Sequence, residues 1–242
     1  MLNKETRDQI VALIKREVVP AIGCTEPIAV ALCVAKATET LGTMPESIDV
    51  LLSGNMLKNA MGVGIPGTGM SGLPIAIALG AIVGKSEYQL EVLKDSTPEH
   101  VEKGKAYIAE KRINISLKEN ITEKLYIEVT VKAGDNTASA IIAGGHTHFI
   151  SITHNGEVLL SSKQKNGTQM ENKDIELSLR MVYEFADTVP IEEIEFINEA
   201  RRLNENASKK SLEGNYGHEL GKTLSRPLGR GIMGDSMFSH IL

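Results

Sequence analysis

Ile10, Leu13, Ile14 and Val18 recur at helical spacing, which predicts an amphipathic helix that stops near Pro20. After the bend Ala21-Ile22-Gly23-Cys24, the run Thr25-Glu26-Pro27 opens a second helix through Ile28, Ala31, Leu32 and Ala35 to about Gly42. Pro27 suits the first turn, where its missing N–H costs nothing. Ile48–Leu52 reads as a short strand, and glycines 62, 64, 67, 69 and 72 punctuate a loop before a small-residue helix, Leu73–Val83. From Tyr88 the period shifts towards two. Tyr88–Leu93 reads as a strand, Pro98–Glu110 as a helix, and strands follow at 113–117, 125–132, 138–143 and 149–153. Leu125, Ile127, Val129 and Val131 alternate cleanly, as a strand with one buried and one solvated face does. Gly134-Asp135-Asn136 and Asn155-Gly156 supply hairpin turns, so the region reads as an antiparallel meander.

Residues 161–172 (SSKQKNGTQMEN) are polar and read as a linker. Beyond it only helical periodicity remains: Ile175, Leu179, Val182 and Phe185, then Ile194, Ile197 and Leu203. The expected fold class is therefore α+β: N-terminal helices plus an antiparallel sheet over residues 1–165, then the beginning of an all-α domain over 172–242. The last residues, SMFSHIL, are apolar where natural termini tend to be solvated, which predicts a truncated chain with exposed core surface and hence dimers or aggregation.

With 42% hydrophobic and 24% charged residues, the 242-residue chain has an ordinary globular composition. A net charge of −5, 4% aromatics and no Trp exclude a basic, base-stacking nucleic-acid binder. The longest apolar run, Leu73–Val83, is about half of the ~20 residues a membrane span needs, so no membrane partner is expected. Two cysteines and a charged N-terminus without a signal peptide point to the cytoplasm, where thiols stay reduced.

Gly23-Cys24-Thr25-Glu26-Pro27 is the sharpest chemical feature. It sets a thiol at a helix N-terminus, where free N–H groups and the dipole favour an anion, so a lowered thiol pKa is expected. Thr25 is the expected cap. A small cysteine that merely precedes a capped helix explains the same residues. Cys33, among Ala31, Leu32 and Val34, reads as core, and no Cys or His spacing of a metal site exists. Ser53-Gly54-Asn55 and the glycine loop form a second candidate, with Lys58 the best-placed lysine. Gly62-Val63-Gly64-Ile65-Pro66-Gly67 matches the letters of a dinucleotide fingerprint, but a helix-like segment precedes it instead of a strand. Close backbone packing, or N–H groups that hold a carboxylate, fits those glycines better. His146 and His148 follow paired glycines and read as turn or surface residues. His154, His218 and His240 are isolated, and Arg226–Arg230 reads as a solvated basic face.

PAIGCTEPIAVAL and SGNMLKNAMGVGIPGTGMSGLPIAIALGAIVG resemble the N-terminal region of the L-cysteine desulfidase family, related to the iron–sulfur L-serine dehydratase α chain. IIAGGHTHF and LGRGIMGDSMFSHIL fit in the same order. The resemblance implies β-elimination of L-cysteine to pyruvate, ammonia and hydrogen sulfide, or of L-serine to pyruvate and ammonia, on a 4Fe-4S cluster acting as a Lewis acid. By the same resemblance Cys24 stands at the cluster or in proton transfer, with Thr25 and Glu26 catalytic beside it. Ser53, Gly54, Asn55, Lys58 and Gly67 would bind the amino-acid substrate. The family's other cluster cysteines would lie beyond this chain, so these residues alone form an incomplete site. A homodimer, or the rest of the catalytic domain in trans, would complete it. A non-catalytic amino-acid-binding or regulatory module is the competing expectation, and a nucleotide-binding protein a weaker one.

Overall fold

The alternation at Leu125–Val131 becomes a real strand whose inward residues Ile127, Val129 and Val131 are fully buried. This computed structural model describes residues 2–162, 175–215 and 219–225. In chain order the elements are α1 (Lys4–Glu17), α2 (Thr25–Leu41), β1 (Ser47–Leu52), α3 (Gly54–Ala60), β2 (Gly64–Ile65), β3 (Met70–Ser71) and α4 (Leu73–Ile82). A 3-10 segment, Ser86–Glu91, leads to α5 (Pro98–Ala109), β4 (Ile113–Leu117), β5 (Tyr126–Ala133), β6 (Asn136–Ala143), β7 (Phe149–His154) and β8 (Glu157–Ser161). Then come α6 (Leu179–Thr188), α7 (Ile191–Ile194), a second 3-10 turn (Glu195–Ile197), α8 (Asn198–Glu213) and α9 (Leu220–Ser225). Helices, a mixed sheet and later helices make the protein α+β.

Two compact units divide the chain: Pro20–Thr168, and Met1–Val19 with Gln169–Leu242. The first nineteen residues therefore group with the late helices and not, as a boundary at 165–172 implied, with the α+β body. Within that helical unit Arg7 makes two 3.1 Å hydrogen bonds to the Glu193 carboxylate, and the Lys15 ammonium lies 5.0 Å from the Phe196 ring centre.

In the α+β unit a six-stranded sheet runs β4-β1-β5-β6-β7-β8. β1 and β4 pair in parallel and every other neighbour is antiparallel, so the expected meander covers β5 to β8 only. A parallel pair requires a long crossover, and α3 to α5 provide it. α2 lies across β5 and β6, α4 packs against α2, and α5 against α4. Covered on both sides, α2 is buried at every position from Pro27 to Ala35, which is why its sequence is apolar all round. The α2–α4 approach is close: a Cβ built on Gly80 would lie 2.6 Å from the Ala31 carbonyl oxygen. Only a residue without a Cβ fits there.

Tyr88–Leu93, expected as a strand, is instead the 3-10 segment, broken by Gln89 at φ 51° and ψ −125°. Its alternate apolar residues Leu90 and Val92 are buried, but in a turn between α4 and α5 with no strand alongside. The edge strand β8 escaped the pattern because Val158 and Leu159 are both exposed and its alternation is lost. His218, His240, Arg226–Arg230, the SMFSHIL ending and residues 163–172 of the expected linker lie outside the described residues. No helix among the described residues is long and apolar enough to cross a membrane.

Candidate functional site

Gly23, at φ 76°, reverses the chain so that Cys24 becomes the N-cap of α2. Thr25, the expected cap, is instead the first helical residue, and no side chain caps this end. Glu26 follows one residue later and collects three donors. The Cys24 thiol donates to Glu26 Oε2 at 3.0 Å, the Thr25 hydroxyl to the same oxygen at 3.3 Å, and Asn59 Nδ2 to Oε1 at 3.2 Å. All three residues of the motif are half-buried. Asn59 stands in the last turn of α3, so the carboxylate ties the start of α2 to α3. The glycine loop joins them: a Cβ on Gly23 would lie 3.0 Å from Pro66 Cγ.

The electrostatics reverse one expectation. Partial burial and the hydrogen bond to Glu26 push the Cys24 thiol above its ordinary range. The Cys24 hydrogen bond leads the causes that hold Glu26 below the usual carboxylate range, with Asn59 and Thr25 adding to it against some burial. A helix N-terminus favours a thiolate, but here the S–H is spent on a neighbouring anion, and ionisation would set two negative charges side by side. The pair at rest is a neutral thiol beside an ionised carboxylate.

Ser53 is buried and fully used: its hydroxyl donates to the Lys124 carbonyl at 2.7 Å and accepts from Met56 N at 3.4 Å as the N-cap of α3. It works as the cap of α3. Gly54, Asn55 and Lys58 of α3 are exposed. Gly67, also exposed, takes φ 77° in the Ile65-Pro66-Gly67-Thr68 turn, closed by Thr68 N donating to Ile65 O at 3.2 Å. Pro then Gly at the two central positions is the type II pattern. The turn joins β2 to β3, a small hairpin unlike the strand–turn–helix of a dinucleotide site. Asn59 was missed, although it lies in the same stretch as Lys58. Nothing in the linear pattern separates it from its neighbours, because its partner is thirty-three positions away.

Cys33 is fully buried, donates to the Ala140 carbonyl at 3.2 Å, and its ionisation is strongly disfavoured by burial. His148 is exposed and its Nδ1 lies 3.0 Å from the Ala143 carbonyl, across the β6–β7 turn. Among the described residues no three His, Cys, Asp or Glu side chains gather as a metal site. A 4Fe-4S cluster takes several thiolates. With Cys33 locked in the core, this chain has one accessible cysteine, so its own donors do not fit such a cluster.

Fold and site together define an α+β protein with a thiol–carboxylate pair at the start of a buried helix. The chain is similar to proteins called UPF0597 proteins. One from Bacteroides fragilis is 65% identical over 241 residues, which are 100% of this chain and 56% of that protein. One from Bacteroides thetaiotaomicron is 64% identical over 236 residues, 98% of this chain and 55% of that protein. A third, from Porphyromonas gingivalis, is 47% identical over 247 residues, 100% of this chain and 57% of that protein. The chain thus spans about half the length of the curated relatives it matches, and their names state no activity. No family model and no solved structure matches the chain.

Proposed function

We propose that this chain is part of a lyase that removes the β-substituent of a small amino acid, L-cysteine first and L-serine within the same class. The hydrogen bond between the Cys24 thiol and the Glu26 carboxylate carries this reading. β-Elimination needs a base for the α-proton and an acid for the leaving group. Glu26, ionised, takes the α-proton. Cys24, protonated, gives its proton to the departing sulfide or hydroxide. The C–H electron pair forms the new double bond, the bond to the β-substituent breaks, and the aminoacrylate product goes on to pyruvate and ammonia. The proton on Glu26 then passes to the Cys24 thiolate across their hydrogen bond, and the pair is reset with no net change. Asn59 and Thr25 hold the carboxylate in place through these steps. Cys24 keeps its proton for the leaving group, so the thiolates that a 4Fe-4S cluster would need are proposed to come from other residues, and no step here runs through a cluster.

The test uses the full-length Bacteroides fragilis relative, reconstituted with iron and sulfide without air, and measures pyruvate released from L-cysteine and L-serine. Pyruvate that disappears when Cys24 or Glu26 is replaced by Ala or Gln at the matching positions supports the reading, and the preferred substrate names the reaction. No pyruvate from either amino acid despite a full cluster would sink it. Amino-acid binding that persists without iron and without the thiol would mark a binding module instead.

A further inference from the structure

The described residues of the helical unit are short of core. Among its described residues, the buried hydrophobic side chains are Ile10 and Phe185, and α8 buries none of its sixteen residues. α6 is the clearest case, because its apolar arc is wide and only one end of it is buried. At 100° per residue, Met181 and Phe185 fall on one face, and Phe185 there is buried. Leu179, Val182 and Tyr183 continue the same apolar arc beside them, exposed by 90, 49 and 74%. Ile191 of α7 is exposed by 74%. An amphipathic helix turns its apolar stripe to a core, and here part of that stripe has none among the described residues. Single exposed apolar residues are ordinary, but a stripe at i, i+3 and i+4 is a contact surface.

The relatives indicate what covers it. The Bacteroides fragilis protein matches this chain over 241 residues, which are 56% of its length, so about 190 of its residues have no counterpart here. We infer that the Leu179–Val182–Tyr183 stripe of α6 is the docking surface for that further part of the polypeptide, which lays an apolar face on it and completes the helical core. This assignment stands independently of the lyase proposal, since it rests on burial and length alone.

Hydrogen–deuterium exchange tests it, comparing the full-length Bacteroides fragilis relative with the 242-residue chain. Amides of α6 are expected to exchange at least ten-fold more slowly in the full-length protein, on the order of the protection a buried helix gains over an exposed one. Leu179→Glu and Tyr183→Glu are expected to leave the melting temperature of the 242-residue chain unchanged. At the matching positions of the full-length relative they are expected to lower it by about 5 °C, the scale of a lost core contact. Equal α6 exchange in the two proteins would overturn the inference. So would slow α6 exchange in the 242-residue chain alone: as a monomer its own residues cover the stripe, and as a dimer by light scattering a second copy does.

Discussion

Replacing Gly23 by Ala tests whether the glycine loop truly braces the Cys24–Glu26 site. Gly23 sits at φ 76°, where a side chain costs about 1–2 kcal/mol. Its Cβ would also meet Pro66 Cγ at 3.0 Å and Cδ at 3.3 Å. Carbon contacts prefer about 3.5–4.0 Å, so the ring must retreat by roughly half an ångström or more, at about 1 kcal/mol, the low end for overpacking because Pro66 is exposed. Gly67 provides the reference: φ 77°, with nothing within 4 Å of a built Cβ. Gly67→Ala is therefore expected to cost about 1–2 kcal/mol and Gly23→Ala about 2–3 kcal/mol. For a body of this size the Gly23 variant should melt about 4–10 °C lower. Urea unfolding of both variants, of Pro66→Ala and of the Gly23→Ala/Pro66→Ala double variant gives the coupling directly. Removing the ring should return about 1 kcal/mol to the Gly23 variant. Equal losses at Gly23 and Gly67, or no coupling to Pro66, would show that the loop does not bear on the motif.

Four further outcomes follow from the same contacts. Since Cys33 is sealed in the core, alkylation of the native protein reads Cys24 alone, and Glu26→Gln should move its reactivity profile to lower pH while burial keeps it above that of a free thiol; an unchanged profile would deny the hydrogen bond. The same pair shapes stability against pH. Glu26, lowered on folding, stabilises fully above its unfolded value of about 4.3 and loses that stabilisation as pH falls through its folded one; Cys24, raised, stabilises fully below about 8.5 and loses it as pH rises through its folded one. Flat stability on the acid side, with no difference between the protein and Glu26→Gln, would contradict this. Ser53→Ala should cost about 1–2 kcal/mol in urea unfolding, for the lost cap and the orphaned Lys124 carbonyl, and leave Cys24 alkylation unchanged; a change in alkylation without a loss of stability would make it a site residue after all. Gly80→Ala should destabilise by about 1–2 kcal/mol even after its helix-propensity gain, and Ala31→Gly should not rescue it because the collision is with the main-chain oxygen.

The strands were legible where one face meets the core and the other meets water. Ile127, Val129 and Val131 alternate with half-buried Glu128 and Thr130, so β5 is visible in the letters. β8 was not, since an edge strand with Val158 and Leu159 both exposed has no inward face to mark. The 3-10 segment misled for the converse reason. Leu90 and Val92 are two apart and both buried, but by a turn that fits beneath α2. Of the candidate site, Cys24 and Glu26 stand out in sequence because Gly, Cys, Thr, Glu and Pro together announce a helix start. The direction of the thiol's shift did not, because it depends on where one hydrogen bond points.

By itself the sequence determined the alternation of β5, the apolar run within α2, the apolar α4, the turns at Gly134 and Asn155-Gly156, and the placing of Cys24 at a helix start. These follow from properties of neighbouring residues: spacing, φ preference and side-chain polarity within one element. Only the tertiary structure decided that β4 returns parallel to β1, that Gly80 admits the Ala31 carbonyl, and that α1 belongs with the late helices. It likewise decided that Asn59 and Pro66 meet the motif from α3 and the glycine loop. Each of these joins residues far apart in the chain, and long-range contacts are selected by the summed burial of whole elements, a quantity that no local window contains.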